Sequence, residues 1–223
     1  MFKPFKLIDK TNSYNASTST AGVRVNSTLG PTQKQYKSLI FNSASSQYLN
    51  RTFLSAGNSK IWTQSFWFKR GKTSLNQWMG VCKSNPANTA AQGIFLGSDD
   101  TITCYVYYSG SAWQGQLVTI PLFRDFSAWY HLLLVVDSTQ TNAVDRIKFY
   151  INGIQITNFS TSNYPTQNQD THFNTATAHY INASQSINSF FDGNFAEHYW
   201  IDGYAYGPEF FGYFDSLGIW QPK

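Results

Sequence analysis

The sequence predicts an all-β protein, an antiparallel β-sandwich with an extended N-terminal arm and a short helical turn near the C-terminus. Three observations carry that prediction. Short runs of alternating apolar and polar residues recur along most of the chain with turn residues between them, at the spacing of about 8–12 residues typical of a sandwich. Aromatic residues make up 17% of the chain against 13% charged, and Glu197 and Glu209 are the only glutamates, a composition poor in helix formers. The third observation is the stretch 127–157, SAWYHLLLVVDSTQTNAVDRIKFYINGIQIT, which reads as three strands in succession.

Within that stretch, residues 129–136 are almost continuously apolar, the pattern of a strand covered on both faces. Residues 146–151 alternate, with Ile147, Phe149 and Ile151 on one face and Lys148 and Tyr150 on the other. Asn152-Gly153 then supplies the dipeptide best suited to a two-residue turn with positive φ at both positions. Such a turn pairs Ile151 with Ile154 and Phe149 with Ile156, so both strands turn their apolar sides the same way.

The other elements follow in order. Residues 38–42 and 47–51 give two short strands, and residues 60–69 give a longer one with Trp62, Gln64, Phe66 and Phe68 on one face. A meander follows over 77–83, 93–97, 101–108 and 114–120, with Ser98-Asp99-Asp100 as a turn. Residues 158–189 are rich in Thr, Asn, Ser and Gln and read as one long irregular loop, which is functional or packed over the sandwich. Residues 190–202 return as a strand with Phe195, Tyr199 and Ile201 opposed to Ala196, His198 and Trp200. Residues 207–211 read as a helical turn, with Pro208 at its first position.

Residues 1–36 differ from the remainder, so the chain divides into an arm, 1–36, and a sandwich domain, 37–223. After Phe2, Phe5, Leu7 and Ile8 the arm becomes Ser/Thr/Asn-rich. Its Lys3, Lys6, Lys10, Arg24 and Lys34 against Asp9 account for the net charge of +4, leaving the domain near neutral. So little apolar surface does not fold alone. The arm either orders on a partner through Phe2, Phe5, Leu7 and Ile8, or forms an edge strand and loop on its own domain. Its spread charges lack the aromatic-basic alternation of a nucleic-acid site.

The motif W-Y-H, an apolar strand, Asp, a polar loop, D-R-I-K-F-Y and I-N-G resembles the laminin-G-like, concanavalin A-like jelly roll, in the version frequent in virion proteins of tailed, especially marine, bacteriophages. KSLIFNSASSQYLNRT (37–52), KIWTQSFWFKRG (60–71) and FDGNFAEHYWIDGYAYGPEFFG (191–212) extend the resemblance over about residues 37–223. It implies a non-enzymatic virion structural protein, such as a fibre, tail-associated or capsid-decorating subunit anchored through its arm. Its partners would be other virion proteins and copies of itself, and its place the virion, assembled in the host cytoplasm. The alternative it implies is a carbohydrate-binding adhesin module for host surface polysaccharide. Loops at one end of jelly-roll lectins contact ligand, which singles out Trp113, Tyr164, Phe173 and Tyr180. The resemblance also allows a structural calcium, for which Asp99 with Asp100, and Asp137 with Asp145, are the carboxylate candidates. No other cofactor is expected.

Catalytic patterns are weak. Glycoside hydrolysis needs two carboxylates about 5–9.5 Å apart, whereas Glu197 and Asp202 are spaced for opposite faces of a regular strand. Neither a G-x-S-x-G elbow nor zinc-type spacing of His131, His172, His179 and His198 is present. Cys82 and Cys104 read as buried free thiols, a single bridge being the alternative. The N-terminus lacks a signal-peptide core and no run suits a membrane span.

Overall fold

The computed structural model describes residues 37–73, 75–83, 91–108, 113–184 and 186–223. The predicted arm, with Phe2, Phe5, Leu7 and Ile8, lies outside them. The first half of the described chain forms β1 (Ser38–Phe41), β2 (Leu49–Thr52), β3 (Ile61–Arg70), β4 (Gln77–Lys83), β5 (Ala91–Leu96), β6 (Ile102–Tyr108) and β7 (Trp113–Thr119). The second half adds β8 (Tyr130–Asp137), β9 (Ile147–Ile151), β10 (Ile154–Ile156), β11 (Phe159–Asn163), β12 (Ala178–Ile181), β13 (Gly193–Asp202), β14 (Gly212–Phe214) and β15 (Trp220–Pro222).

These strands make a six-stranded sheet, β1-β13-β3-β8-β9-β10, a seven-stranded sheet, β11-β7-β6-β5-β4-β12-β2, and the hairpin β14-β15. The ladders between the named strands are antiparallel. Between the two large sheets lies one core: Phe66, Phe68, Leu132, Leu134, Phe149 and Phe195 from the first, and Met79, Ile94, Leu96, Ile102, Val106 and Leu117 from the second. Each such side chain, fully removed from water, contributes about 1.5–3 kcal/mol. The predicted helical turn is a single 3-10 turn, Pro208–Phe210, with the proline at its start.

The apolar run of β8 is covered on both faces, as its sequence requires. Leu132, Leu134 and Val136 enter the core, while His131, Leu133 and Val135 on the other face are also buried. Residues 204–223 cover that outer face. Thr63 Oγ1 donates to the Tyr204 carbonyl at 2.7 Å and accepts from Tyr206 N–H at 3.0 Å, and the Trp220 indole donates to His131 Nδ1 at 3.1 Å.

The Asn-Gly turn is present, with φ of 49° at Asn152 and 76° at Gly153, and it sets the pairs Ile151–Ile154 and Phe149–Ile156. Gly153 has a second role, because a Cβ there would lie 2.4 Å from the Trp220 ring. Gly153→Ala therefore combines a strained φ with a clash, and is expected to lower stability by about 1–3 kcal/mol in urea unfolding. An unchanged midpoint would show that the indole gives way freely.

Three expectations are corrected. The stretch 158–189 is not one irregular loop: it supplies β11 at a sheet edge and β12 between β4 and β2. The five residues of β11, FSTSN, leave their polar side chains exposed, so no apolar alternation marks the strand. The face assignment in β13 fails after Ala196. Its register runs from Ala196–Trp67 to Tyr199–Ser65, so Glu197 and His198 together oppose Phe66 in a β-bulge. Glu197 has φ of 46°, and beyond it the faces swap: His198 stacks on Phe66 in the core while Tyr199 meets Phe211 outside. Trp129, read as a strand residue, precedes β8 and is 36% exposed.

Candidate functional site

A cleft of about 270 Å³ opens at one end of the sandwich, where β3 begins and β13 ends. Its floor is aromatic. Trp62 lies 4.4 Å from Phe173, and Phe173 meets Trp200 edge-on at 5.1 Å. Its rim is polar, with Arg51, Asn174 and Asp202, and Leu54 stands fully exposed at the mouth.

Backbone and buried side chains hold these groups in place. Asp202 Oδ1 accepts Asn58 N–H at 2.7 Å and the Asn174 side-chain amide. Gly57 N–H donates to the Asn174 carbonyl at 2.7 Å. A Cβ on Gly57 would come within 2.3 Å of Asn174 Nδ2 and 2.5 Å of Asp202 Oδ2, so only glycine permits this close approach. Below, the buried Gln92 accepts from His172 N–H and Phe173 N–H at 2.9 and 3.0 Å, fixing the segment that carries Phe173 and Asn174. Trp62 is oriented by its indole bond to Thr171 Oγ1, at 2.9 Å.

His179 completes the frame. Its Nδ1–H donates to the Thr177 carbonyl at 2.9 Å, so Nε2 is free to accept Asn174 N–H at 3.2 Å. Burial pushes its pKa down to about 4, against a smaller opposing effect of the Thr177 carbonyl. The neutral ring thus belongs to the support of the cleft.

Residues 41–205 match a laminin-G-type family model described as the concanavalin A-like lectin/glucanases superfamily. The chain belongs to this superfamily. Comparison with curated protein sequences gave no match. Among solved structures, the chain is similar to domain 4 of AbnA, a GH43 extracellular arabinanase from Geobacillus stearothermophilus, in complex with arabinotriose. That likeness has a TM-score of 0.55 at 15% identity and covers 92% of this chain and 83% of that one. It is also similar to domains LG4-5 of the mouse laminin alpha1 chain, with TM-score 0.55, 9% identity, and 79% and 45% of the two chains covered. A third likeness is to a leech intramolecular trans-sialidase, with TM-score 0.52, 11% identity, and 72% and 26% covered.

Among the residues singled out from sequence, the superfamily fold brings one into the cleft. Phe173 is there, but as buried floor, 3% exposed. Tyr180 is buried beside Tyr48, with ring centroids 6.0 Å apart, and Tyr164 is half-buried against the main core. The side chain of Trp113 lies outside the described residues. Arg51, Asn174 and Asp202 were not anticipated, since they come from three distant segments and no local motif joins them.

The calcium candidates do not form an oxygen cage. Asp100 is buried, and its two carboxylate oxygens receive Arg70 Nη1 and Arg124 Nε, each at 2.7 Å. Two guanidinium groups already neutralise this carboxylate and crowd it with positive charge, whereas a calcium ion wants six to eight oxygens. Asp99 Oδ1 accepts from the Thr101 hydroxyl and N–H. Asp137 is engaged by Thr139 and Gln140, while Asp145 pairs with Asn142 and Lys148. Among the described residues no three His, Cys, Asp or Glu side chains converge on a metal-sized site.

Nucleophilic chemistry fares similarly. Trp220 donates to His131 Nδ1, so the neutral ring carries its proton on Nε2 and donates it to Ser65 Oγ at 2.8 Å. That is the reverse of the polarity a general base needs. The bulge keeps Glu197 on the outer face while Asp202 faces the end cleft, where it is the one carboxylate among the described residues of the lining. Cys104 is a buried free thiol, pushed up to about 12 by burial; the side chain of Cys82 lies outside the described residues.

Proposed function

We propose that the protein is a non-catalytic carbohydrate-binding module, displayed as a structural subunit of a bacteriophage virion. One observation carries the binding reading: an end cleft with an aromatic floor of Trp62, Phe173 and Trp200 and a planar polar rim of Arg51, Asn174 and Asp202. The floor offers an apolar surface to the C–H side of a sugar, and amide, guanidinium and carboxylate groups suit its hydroxyls. The volume holds about one sugar ring. The arabinanase domain of similar fold is in complex with arabinotriose in its solved structure, which supports the choice of ligand class. A single carboxylate among the described residues of the cleft supports binding without hydrolysis.

The virion role rests on the sequence resemblance and on the separate arm, 1–36, with Phe2, Phe5, Leu7 and Ile8 as its anchors. It expects the full chain to be an oligomer by light scattering and a version lacking 1–36 to be a folded monomer. A monomeric full chain, missing from particle fractions, would end that part of the reading.

For the cleft, the test is a glycan array with the full chain, followed by calorimetry. Asn174→Ala and Arg51→Ala are expected to weaken the best ligand about tenfold or more, since each removes a rim hydrogen bond with no substitute. Loss of binding in Trp113→Ala but not in Asn174→Ala would place the site elsewhere. New reducing ends on incubation with polysaccharide would overturn the non-catalytic assignment.

A further inference from the structure

We propose that a second cavity, on the outer face of the six-stranded sheet, binds an alkylammonium cation against Glu197. The cavity has about 380 Å³ and lies between β3, β8 and β13 on one side and residues 206–223 on the other. Five aromatic side chains line it: Trp67, Tyr199, Tyr206, Phe210 and Phe211. Glu197 carries the only side-chain carboxylate among the described lining residues, and it also lines a neighbouring cavity of about 360 Å³ beside Trp67 and Trp129.

The position of Glu197 is built by the fold. In a regular strand, the residue two beyond the core-facing Phe195 would also face the core. The bulge, with φ of 46° at Glu197, turns this side chain outward onto the rings instead. There the carboxylate accepts one hydrogen bond, from the Tyr199 hydroxyl, and makes no ion pair among the described residues. The cations nearby do not neutralise it. Lys223 shares the cavity, but its ammonium donates to the Glu209 carbonyl, and Lys37 lines the neighbouring cavity together with Glu197 but makes no ion pair with it. His131 is neutral, with both ring nitrogens committed.

The chemistry selects the ligand class. A carboxylate and the negative faces of aromatic rings both attract positive charge. A metal ion would find too few oxygens. A guanidinium prefers two carboxylate oxygens, and Tyr199 already occupies Oε2. An alkylammonium needs only one oxygen and fills the apolar remainder with its methyl or methylene groups.

The test is titration of the full chain with choline and with its uncharged isostere 3,3-dimethylbutan-1-ol, followed by the indole N–H resonances of Trp67 and Trp129. Choline is expected to give a saturable shift and the alcohol a much weaker one. Glu197→Gln should weaken choline about fivefold or more while leaving the alcohol unchanged. Phe210→Ala removes a ring that is 57% exposed, so the fold survives, and it should weaken choline as well. Equal binding of the two probes, or choline affinity unchanged in Glu197→Gln or in Phe210→Ala, would overturn the proposal.

Discussion

On acidification from about pH 6.5 to 4, the protein is expected to lose most of its stability, through three buried histidines that fold only as neutral rings. His131 and His198 are fully buried and His179 nearly so. Burial depresses their pKa values to about 3, 3 and 4 from the ordinary 6.5. Each ring also spends its unprotonated nitrogen on a fixed N–H: Trp220 Nε1 on His131, the Gln64 amide on His198, and Asn174 N–H on His179. A second proton would set donor against donor.

The sign follows from linkage. Between the folded and unfolded pKa values the unfolded chain binds more protons, so stability is full above about pH 6.5 and falls as pH drops toward 4. Each ring costs about 2 kcal/mol at pH 5, and the three together reach about 10 kcal/mol by pH 4. That is comparable to the whole stability of a typical domain. Urea midpoints measured between about pH 7 and 4.5 check this, and a flat profile would sink it. His131→Gln, which can still accept from Trp220 and donate to Ser65, should remove about a third of the slope. Because His179 anchors Asn174 and takes its proton in the folded chain only near pH 4, ligand binding by the folded protein is expected to hold through this range and fade as pH falls through about 4.

Most of the fold was legible because its signals are local. The alternation of β3 and β9, the two-sided apolarity of β8 and the Asn-Gly turn each specify a strand or its register from adjacent residues. The misreadings share one cause, the lack of a local signal. The bulge at Glu197 places positive φ on a residue that is neither Gly nor Asn, so alternation fails without warning. His179 and Tyr180 of β12 are buried by partners far away in sequence, β4 and β2. The cleft is legible only in part for the same reason: an aromatic such as Phe173 stands out in a polar stretch, but its place as floor depends on Trp62 and Trp200. The Asn174–Asp202 part of the rim closes over Gly57, whose missing Cβ has no meaning until both side chains are seen beside it.

Asp100→Asn is expected to lower stability by about 3–5 kcal/mol, the cost of leaving a buried cation without its partner. The Arg70 side chain has no solvent exposure. Its Nη1 donates to Asp100 Oδ1 at 2.7 Å and to the Phe123 carbonyl at 2.6 Å, and its Nε donates to the Lys72 carbonyl at 2.8 Å. Through these bonds one guanidinium joins the end of β3, the β5–β6 turn and the segment after β7. Burial alone would raise the Asp100 pKa, but hydrogen bonds from Arg124 and Arg70 outweigh it and hold the carboxyl below the usual range. This contribution is therefore present above the ordinary carboxylate pKa and is lost only below it, after the histidine window has passed. Asparagine tolerates the φ of 70° at this position, so the substitution isolates charge from backbone strain. Arg124 is 63% exposed, and Arg124→Gln should cost less than about 1 kcal/mol. Adding Arg70→Met to Asp100→Asn should recover part of the loss, because the stranded cation is then gone. A cost for Asp100→Asn no greater than that for Arg124→Gln would mean that the Phe123 and Lys72 carbonyls alone satisfy Arg70, and that the ion pair fixes the turn without stabilising it.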